Sequence, residues 1–225
     1  MVRHPVLTRD FPENLCGGIM VCGINFGWSK RDEEEENRGS QNLIEVRSFF
    51  SDKTVNNTKF RNTVLKWLSV WGIDLNCQPG TETSFEKSFF QTNWLDSQTR
   101  SIDSDLRITE RVLVEHADGI LNLLKERRPS VILFFSHMLI DALNDIRLRV
   151  KVESILGSRT GNAEACFAEI QEGRKNKFKL LHQKWGDVQI ISLPHPAARG
   201  ISLKHIELLK PPIHVLSPIL NKKAR

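Results

Sequence analysis

The stretch VCGINFGWS, residues 21–29, runs from apolar side chains into a glycine-containing turn that carries Asn25. A second stretch, SLPHPAARGIS, residues 192–202, repeats this layout with His195 between two prolines. Short apolar runs are typical of buried strands, and glycine and proline mark the turns that follow them. The two turns lie about 170 residues apart, so only a fold that gathers strand ends would bring Asn25 and His195 together.

Apolar strands alternate with amphipathic helices along the chain. Strands are predicted at 19–24, near 85–92, and at 131–135, 177–184 and 188–193. Helical spacing of apolar residues predicts helices at 60–71, 109–128, 137–149 and 203–210, while residues 151–176 have no clear pattern. Strands without a polar face are typical of a parallel sheet that helices cover on both sides. We therefore expect an α/β fold, a three-layer αβα sandwich with a central, mostly parallel sheet of about four strands.

Length and composition indicate a single domain with its core over about residues 19–210. The chain has 225 residues and is 40% hydrophobic, which is enough for a sizeable core. Its longest apolar run, residues 131–135, is too short to cross a membrane, and the first residues lack the apolar segment of a signal peptide. We therefore expect a cytoplasmic monomer with no membrane partner.

The four cysteines are too scattered to indicate a disulfide framework. They are Cys16, Cys22, Cys77 and Cys166, and no two of them form a C-x-x-C pair. We expect free thiols, no metal and no cofactor. The alternative is a metal or iron–sulfur site that uses all four.

Charge is unevenly distributed over a chain whose formal net charge is +5. Basic residues gather at 147–151, at 174–179 and at the C-terminal end. An acidic run at 32–36 lies in a polar stretch, 28–42, that is predicted to be an inserted loop. The net charge is compatible with a polyanionic partner. The acidic loop is either a solvated segment or a segment that repels DNA from one side of a cleft.

Three polar residues stand at or just past predicted strand ends. They are Asn25, Asn93 and His195. Ligands of open parallel sheets bind in a crevice outside the carboxyl ends of the strands. We therefore expect these three side chains to line one crevice.

Several of these stretches resemble motifs of the uracil-DNA glycosylase superfamily. GINFG, residues 23–27, is similar to the G-I-N-P-G of mismatch-specific members and the G-M-N-P-G of single-strand-selective members, and HPAARG, residues 195–200, resembles the second motif. FFQTNW, residues 89–94, resembles the strand end whose asparagine reads the base, and RPSVILFFSHMLIDAL, residues 128–143, resembles the strand-to-helix unit before the second motif. The motifs occur in the family's order.

The resemblance implies a monofunctional DNA glycosylase that flips a pyrimidine out of the stack and leaves an abasic site. By position, Asn25 would orient the water, His195 would stabilise the departing base, and Asn93 would read the base edge. No lysine stands at a motif position, so a Schiff-base step is not expected. The alternatives are a turn asparagine for Asn25, a turn histidine for His195 and a helix cap for Asn93.

The base pocket implied by the resemblance includes Gly23, Ile24 and Phe26 of the first motif. The family has proline where this chain has Phe26, which changes the backbone constraint beside Asn25. Phe50, or its neighbour Phe49, is the candidate for stacking on the flipped base, and core packing is the alternative.

Gly27 stands where uracil-strict members of the family carry a tyrosine that excludes 5-substituted bases. A glycine there leaves room for a 5-modified pyrimidine, although Trp28 is large enough to refill the space. The resemblance therefore implies a substrate that is either uracil or a mispaired pyrimidine, as in base-excision repair, or a modified cytosine of phage DNA, as in antiviral defence.

Arg199, Ser202 and Lys204 follow His195 and are the candidate DNA contacts, through phosphate groups or the minor groove. Solvated surface charge is the alternative for them. Two further functions remain open at this point. One is a non-catalytic DNA-binding protein on the same fold, and the other is a hydrolase of free nucleosides or nucleotides.

Overall fold

The computed structural model describes most of the chain. The described ranges are 4–27, 48–54, 58–96, 98–99, 108–170 and 176–224. The predicted acidic loop and Trp28 lie outside them.

Eight strands and nine helices occur in the described ranges. The strands are β1 (Ile19–Gly23), β2 (Phe26–Gly27), β3 (Phe89–Asn93), β4 (Gln98–Thr99), β5 (Val131–Phe134), β6 (Arg159–Ile170), β7 (Asn176–Trp185) and β8 (Val188–Ser192). The helices are α1 (Pro12–Leu15), α2 (Lys59–Val70), α3 (Ser84–Lys87), α4 (Glu110–Glu115), α5 (Asp118–Arg127), α6 (His137–Leu143), α7 (Arg149–Leu156), α8 (Leu203–Leu208) and α9 (Ile213–Lys223).

Six strands form one mixed sheet in the order β3-β1-β5-β8-β7-β6, and the short β2 and β4 pair separately. The first four are parallel to one another, whereas β7 runs antiparallel to β8, and β6 antiparallel to β7. The α/β class is confirmed, but the sheet was expected to have about four strands and has six, of which four are mutually parallel. The sheet is larger than expected because β6 and β7 extend it.

Both faces of the sheet are apolar, and successive strand residues point to opposite sides. Met20 and Cys22 pack in one hydrophobic cluster with residues of α4, α5, α6 and α7. Ile19 and Val21 pack in a second cluster with residues of α2, α3, α8 and α9. Helices therefore cover both faces, which explains why the central strands read as continuous apolar runs.

One predicted helix is divided in the structure, and another is shorter than predicted. The expected helix 109–128 is broken at His116 and Ala117, between α4 and α5, and the weak helix formers Asp118 and Gly119 follow as the first residues of α5. The expected helix 137–149 ends with α6, and Asp145 then accepts hydrogen bonds from Arg147 through its backbone and guanidinium N–H groups. These bonds lower the pKa of Asp145 to about 2 and fix a turn before α7.

One further boundary differs from the prediction, and two elements were not predicted. The strand expected near 85–92 begins only at Phe89, because Thr83 and Glu86 form a capping box that starts α3. β6 occupies much of the stretch without a clear pattern, and α9 follows Pro212 unpredicted. The other expected strands and the helices at 60–71 and 203–210 are confirmed within a few residues.

The hairpin of β6 and β7 reaches past the sheet. Pairing of β7 with β8 ends at Leu181 opposite Ser192, whereas β6 and β7 stay paired out to Ile170 opposite Asn176. Residues 166–170 and 176–180 therefore project beyond the carboxyl end of β8. We call this part the overhanging hairpin.

The described residues were also compared with the patterns of disulfide, metal-binding and membrane proteins. The four cysteines are free thiols, and burial raises the pKa of Cys22 far above its ordinary value. Within these ranges no three histidine, cysteine or carboxylate side chains come together as metal ligands. No helix among them is long and apolar enough to cross a membrane.

Candidate functional site

The carboxyl edge of the four parallel strands gathers most of the predicted site residues. Gly23 and Asn93 end β1 and β3 directly opposite each other, Ser136 follows β5, and His195 follows β8. The chain leaves β1 toward β3 on one side and leaves β5 toward β8 on the other. The order of strands therefore reverses between β1 and β5, and such a reversal opens a crevice for ligands.

Gly23 makes room for the amide of Asn93. A Cβ atom at position 23 would collide with Oδ1 of Asn93 and would lie 3.9 Å from Cε2 of Phe60. Asn93 is buried, with 6% of its surface exposed, and Ile24 is also buried. The glycine of the first motif is thus needed where a side chain of the neighbouring strand crosses the backbone.

His4 holds the backbone of Asn93 from the other side. Its Nε2 lies 2.7 Å from the carbonyl oxygen of Asn93, and since that oxygen only accepts, Nε2 carries the proton. Burial lowers the pKa of His4 below its ordinary value. This positioning contact was not predicted, because nothing in the sequence links residue 4 to residue 93.

The turn after β8 fixes the ring of His195. Its Nδ1 accepts the backbone N–H of Ala197 at 3.1 Å, and its carbonyl oxygen accepts the N–H of Ala198 at 2.8 Å. Burial lowers the pKa of His195. The neutral imidazole therefore carries its proton on Nε2, which is a hydrogen-bond donor.

Phe60 lies between Gly23, at the end of β1, and His195, after β8. This half-buried ring in the first turn of α2 lies 6.2 Å from the ring of His195, centroid to centroid, and packs edge-on against Phe135 at 5.4 Å. It also borders Gly23. The sequence placed Phe60 in the apolar stripe of a helix, and no separate signal marked it as a site residue.

Phe50 and Phe49 are buried in the core instead. The Phe50 ring stacks on Phe89 at 5.7 Å, and the guanidinium of Arg61 lies over it at 5.6 Å. The ring that lies beside His195 is Phe60, which was not predicted as a stacking residue. A base on Phe50 would require that ring to leave the core.

Asn25 is half-buried and stands two residues beyond Gly23. The next residues, Phe26 and Gly27, form β2 and pair with Gln98 and Thr99 of β4. Backbone bonds from Trp94 to Gly23 and from Leu95 to Ile24 continue the β1–β3 pairing past the strand ends. The first motif is therefore tied along its length to the segment that follows β3.

The predicted DNA contacts lie on the surface after His195. Arg199 is exposed in the loop that ends at Gly200, whose φ of 83° is readily adopted by glycine alone. Ser202 caps α8, with its Oγ 2.8 Å from Nδ1 of His205. Lys204 is exposed in the first turn of α8. These residues lie beyond the same strand end as His195.

No known protein-family model matches the sequence, and a search of curated proteins finds no similar sequence.

Proposed function

We propose that the protein is a monofunctional DNA glycosylase, which hydrolyses the N-glycosidic bond of a flipped pyrimidine and leaves an abasic site. One observation carries the proposal. A single aromatic ring, Phe60, lies between the donor-bearing His195 and the strand end where Gly23 admits the amide of Asn93. An aromatic face flanked by an amide and a neutral donor suits a pyrimidine ring.

The reaction requires charge stabilisation more than proton transfer. The bond between C1′ and N1 breaks, its electron pair leaves with the base, and negative charge develops on the base carbonyl oxygen O2. A water adds its oxygen to C1′ and releases a proton. The free base and an abasic sugar are the products.

His195 has the properties that the departing base needs. Its Nε2–H is available as a donor at neutral pH because Ala197 occupies Nδ1 and burial keeps the ring neutral. A preorganised donor aimed at developing negative charge acts as an oxyanion hole does. The partly buried position strengthens that interaction relative to water.

Asn93 and Asn25 complete the mechanism in this proposal. The Asn93 amide pairs with the edge of the base, while His4 holds the backbone carbonyl of Asn93 and Gly23 leaves room for its side chain. Cytosine and uracil present opposite hydrogen-bonding patterns at position 4, so the orientation of this amide selects between them. Asn25, which has no useful pKa, positions the water instead of deprotonating it.

The wider assignments rest on the resemblance of the sequence motifs to the uracil-DNA glycosylase superfamily. We place the three-layer sandwich with the uracil-DNA-glycosylase-like folds and take DNA as the partner of a cytoplasmic monomer. Gly27 favours a 5-modified pyrimidine, and hence a role in defence against phage, over uracil repair. Arg199 and Lys204 would contact the DNA backbone next to the site.

Base release tests this proposal directly. The protein is incubated with single-stranded and duplex DNA carrying uracil, a mispaired thymine, 5-hydroxymethylcytosine or its glucosylated form, and abasic sites are counted after alkaline cleavage. We expect release from one class of base and loss of that release in Asn25→Ala. Salt-sensitive binding with no release from any base would favour a non-catalytic DNA-binding protein. Release from free nucleosides but not from DNA would favour a nucleoside hydrolase.

A further inference from the structure

A cavity that borders His195 opens between the overhanging hairpin and the start of α6. Its volume is about 660 Å³. His195 lines it on one side, while Phe167 and Lys177 line it from the hairpin. We call this cavity the hairpin cleft. His195 thus forms a wall shared by the hairpin cleft and the crevice that contains Phe60.

The hairpin presents an aromatic ring and two ammonium groups to this cleft. Phe167 is 55% exposed although it belongs to a strand, and Nζ of Lys177 lies 4.4 Å from the centre of its ring. Lys179 pairs directly with Phe167 across the two strands, so the three side chains share one face of the hairpin. An exposed ring beside lysines is the arrangement with which proteins bind unpaired bases and phosphates.

The base of the hairpin is fixed relative to the site. Nε2 of His137, in the first turn of α6, lies 2.9 Å from the carbonyl oxygen of Lys179. Phe178 points to the opposite face and packs edge-on against His205 of α8 at 4.9 Å. Contacts on both faces hold the hairpin beside His195.

The charge of the cleft also indicates an anionic occupant. None of the described side chains that line it is acidic, whereas Lys177 and Lys179 are both exposed there. Glu169, opposite Lys177, lies one same-face pair farther from the sheet than Phe167. The positive charge therefore concentrates at the ring and near His195.

The chemistry of a pyrimidine indicates which part of the DNA faces this cleft. O2 is bonded to C2, the ring carbon next to the glycosidic nitrogen N1. C5 lies across the ring from C2. If His195 contacts O2, as the proposed function requires, then the hairpin cleft is on the side of the sugar and its strand. A substituent at C5 would point away from it.

We infer that the hairpin cleft binds a single-stranded segment of DNA beside the flipped nucleotide, with an unpaired base on Phe167 and phosphates on Lys177 and Lys179. This inference rests on the proposed function for its placement of the strand. It makes the protein selective for single-stranded or locally opened DNA, since a base within a duplex cannot stack on a side chain.

Binding to DNA that contains no excisable base tests the inference separately from catalysis. The probe is a fluorescein-labelled oligonucleotide of about 12 unmodified nucleotides, single-stranded or annealed, measured by fluorescence anisotropy. We expect Phe167→Ala to weaken single-strand binding by about tenfold and Phe167→Trp to keep it. The double variant Lys177→Gln/Lys179→Gln should lower the salt-dependence slope by about 1.4, which is two phosphate contacts.

Matched controls lie at the other end of the sheet. Ile146→Ala removes an apolar side chain that is 74% exposed, and Lys184→Gln removes an exposed lysine of the same strand β7. Both should bind the oligonucleotide as the unmodified protein does.

Three results would overturn the inference. They are unchanged single-strand affinity in Phe167→Ala, equal losses on single-stranded and duplex DNA, or tighter binding of an RNA of the same sequence. A protein that releases no base but loses single-strand binding in these variants would refute the proposed function alone. Normal base release with unchanged binding in the hairpin variants would refute the hairpin cleft alone.

Discussion

The imidazole of His195 is held in one tautomer by its own turn. Its Nδ1 accepts the N–H of Ala197 two residues ahead, which leaves the proton of the neutral ring on Nε2. Burial keeps the ring neutral by lowering its pKa. A single local contact therefore decides which atom the site offers to a ligand.

Solution NMR should detect this state. We expect His195 to titrate with a pKa below 6.5 and to show a protonated Nε2 and an unprotonated Nδ1 at neutral pH. Long-range nitrogen–proton correlation spectra report both, with His195→Ala used to assign the signals. A proton on Nδ1 at neutral pH would contradict the donor role.

Gly23 and Asn93 form the other contact that can be tested at single-residue scale. An alanine at 23 collides with Oδ1 of Asn93, so we expect Gly23→Ala to destabilise the protein by about 1–3 kcal/mol, as overpacking does. In an Asn93→Ala background the collision is absent, because the next atom, Phe60 Cε2, is at ordinary contact distance.

Urea unfolding of the four proteins in this cycle measures the coupling. We expect Gly23→Ala to lower the free energy of unfolding by a markedly smaller amount when Asn93 is replaced by alanine. The same cost in both backgrounds would show that Asn93 does not cross the glycine.

The roles of Phe60 and His4 exceed what residue patterns can reveal. Phe60 belongs to the helical spacing of α2, which the sequence predicts correctly, and periodicity cannot distinguish a core ring from one at a crevice. His4 reaches Asn93 across 89 positions of the chain. The positions of Gly23, Asn93 and His195 at one edge were predictable, because parallel strand ends meet there.

Among the elements, the apolar strands were predictable from the sequence. Of the two hairpin strands, β7 was predicted and β6 was not. β1, β5 and β8 are buried on both faces, which leaves an unbroken apolar signal. In β6 only Ala168 is fully buried, so neither alternation nor a continuous apolar run marks it. Its structure comes from pairing with β7 along almost its whole length, a long-range effect without a local pattern.

Arg127 joins elements that are far apart in the chain. It lies in the last turn of α5, with a side chain that is 1% exposed, and donates to the backbone and side-chain oxygens of Asn14 and to Asp10. Its guanidinium also lies 4.9 Å from the ring centre of Phe90 on β3. It therefore ties α1 and the N-terminal segment to the sheet.

Removing this guanidinium should destabilise the protein strongly. We expect Arg127→Met to cost about 3 kcal/mol, because buried Asn14 loses a charged donor. Arg111→Met breaks a pair with Glu115 whose partners are 78% and 47% exposed, and should change stability by less than about 0.5 kcal/mol. Urea midpoints compare the two, and similar losses would contradict the structural role of Arg127.

At the scale of the whole molecule, four histidines share one electrostatic property. Burial lowers the pKa of His4, His137, His182 and His195 below the ordinary value of 6.5. Each belongs to a different segment, and three of them lie at the carboxyl edge or against Asn93. Folding therefore keeps several imidazoles neutral that would be protonated in weakly acidic solution.

Because these four pKa values are lowered on folding, the free energy of unfolding depends on pH. Below 6.5 the unfolded chain binds protons that the folded protein resists, so stability should fall between about pH 7 and pH 5. The carboxylates with lowered pKa act in a more acidic range, below their ordinary values of 3.8 to 4.5. Urea unfolding across this window measures the slope, which His4→Gln should reduce. Constant or rising stability toward pH 5 would contradict the buried neutral histidines.

Fold class and site location follow from the same feature of the whole chain, the regular alternation of apolar strands with helices. The overhanging hairpin does not follow from it, and neither does the cleft beside His195. Both depend on how far one pair of strands continues after its neighbour has ended. Such a difference in strand length is a tertiary property that a single sequence does not display.

Single-turnover base release by the unmodified protein, Asn25→Ala and His195→Ala is the most direct test of the central claim. On the DNA that the unmodified protein processes, each variant should be slower by about 10²–10³-fold, as for removal of an oxyanion-hole donor. DNA binding and the unfolding midpoint should stay close to those of the unmodified protein. Release at the unmodified rate in both variants would contradict a site built on Asn25 and His195.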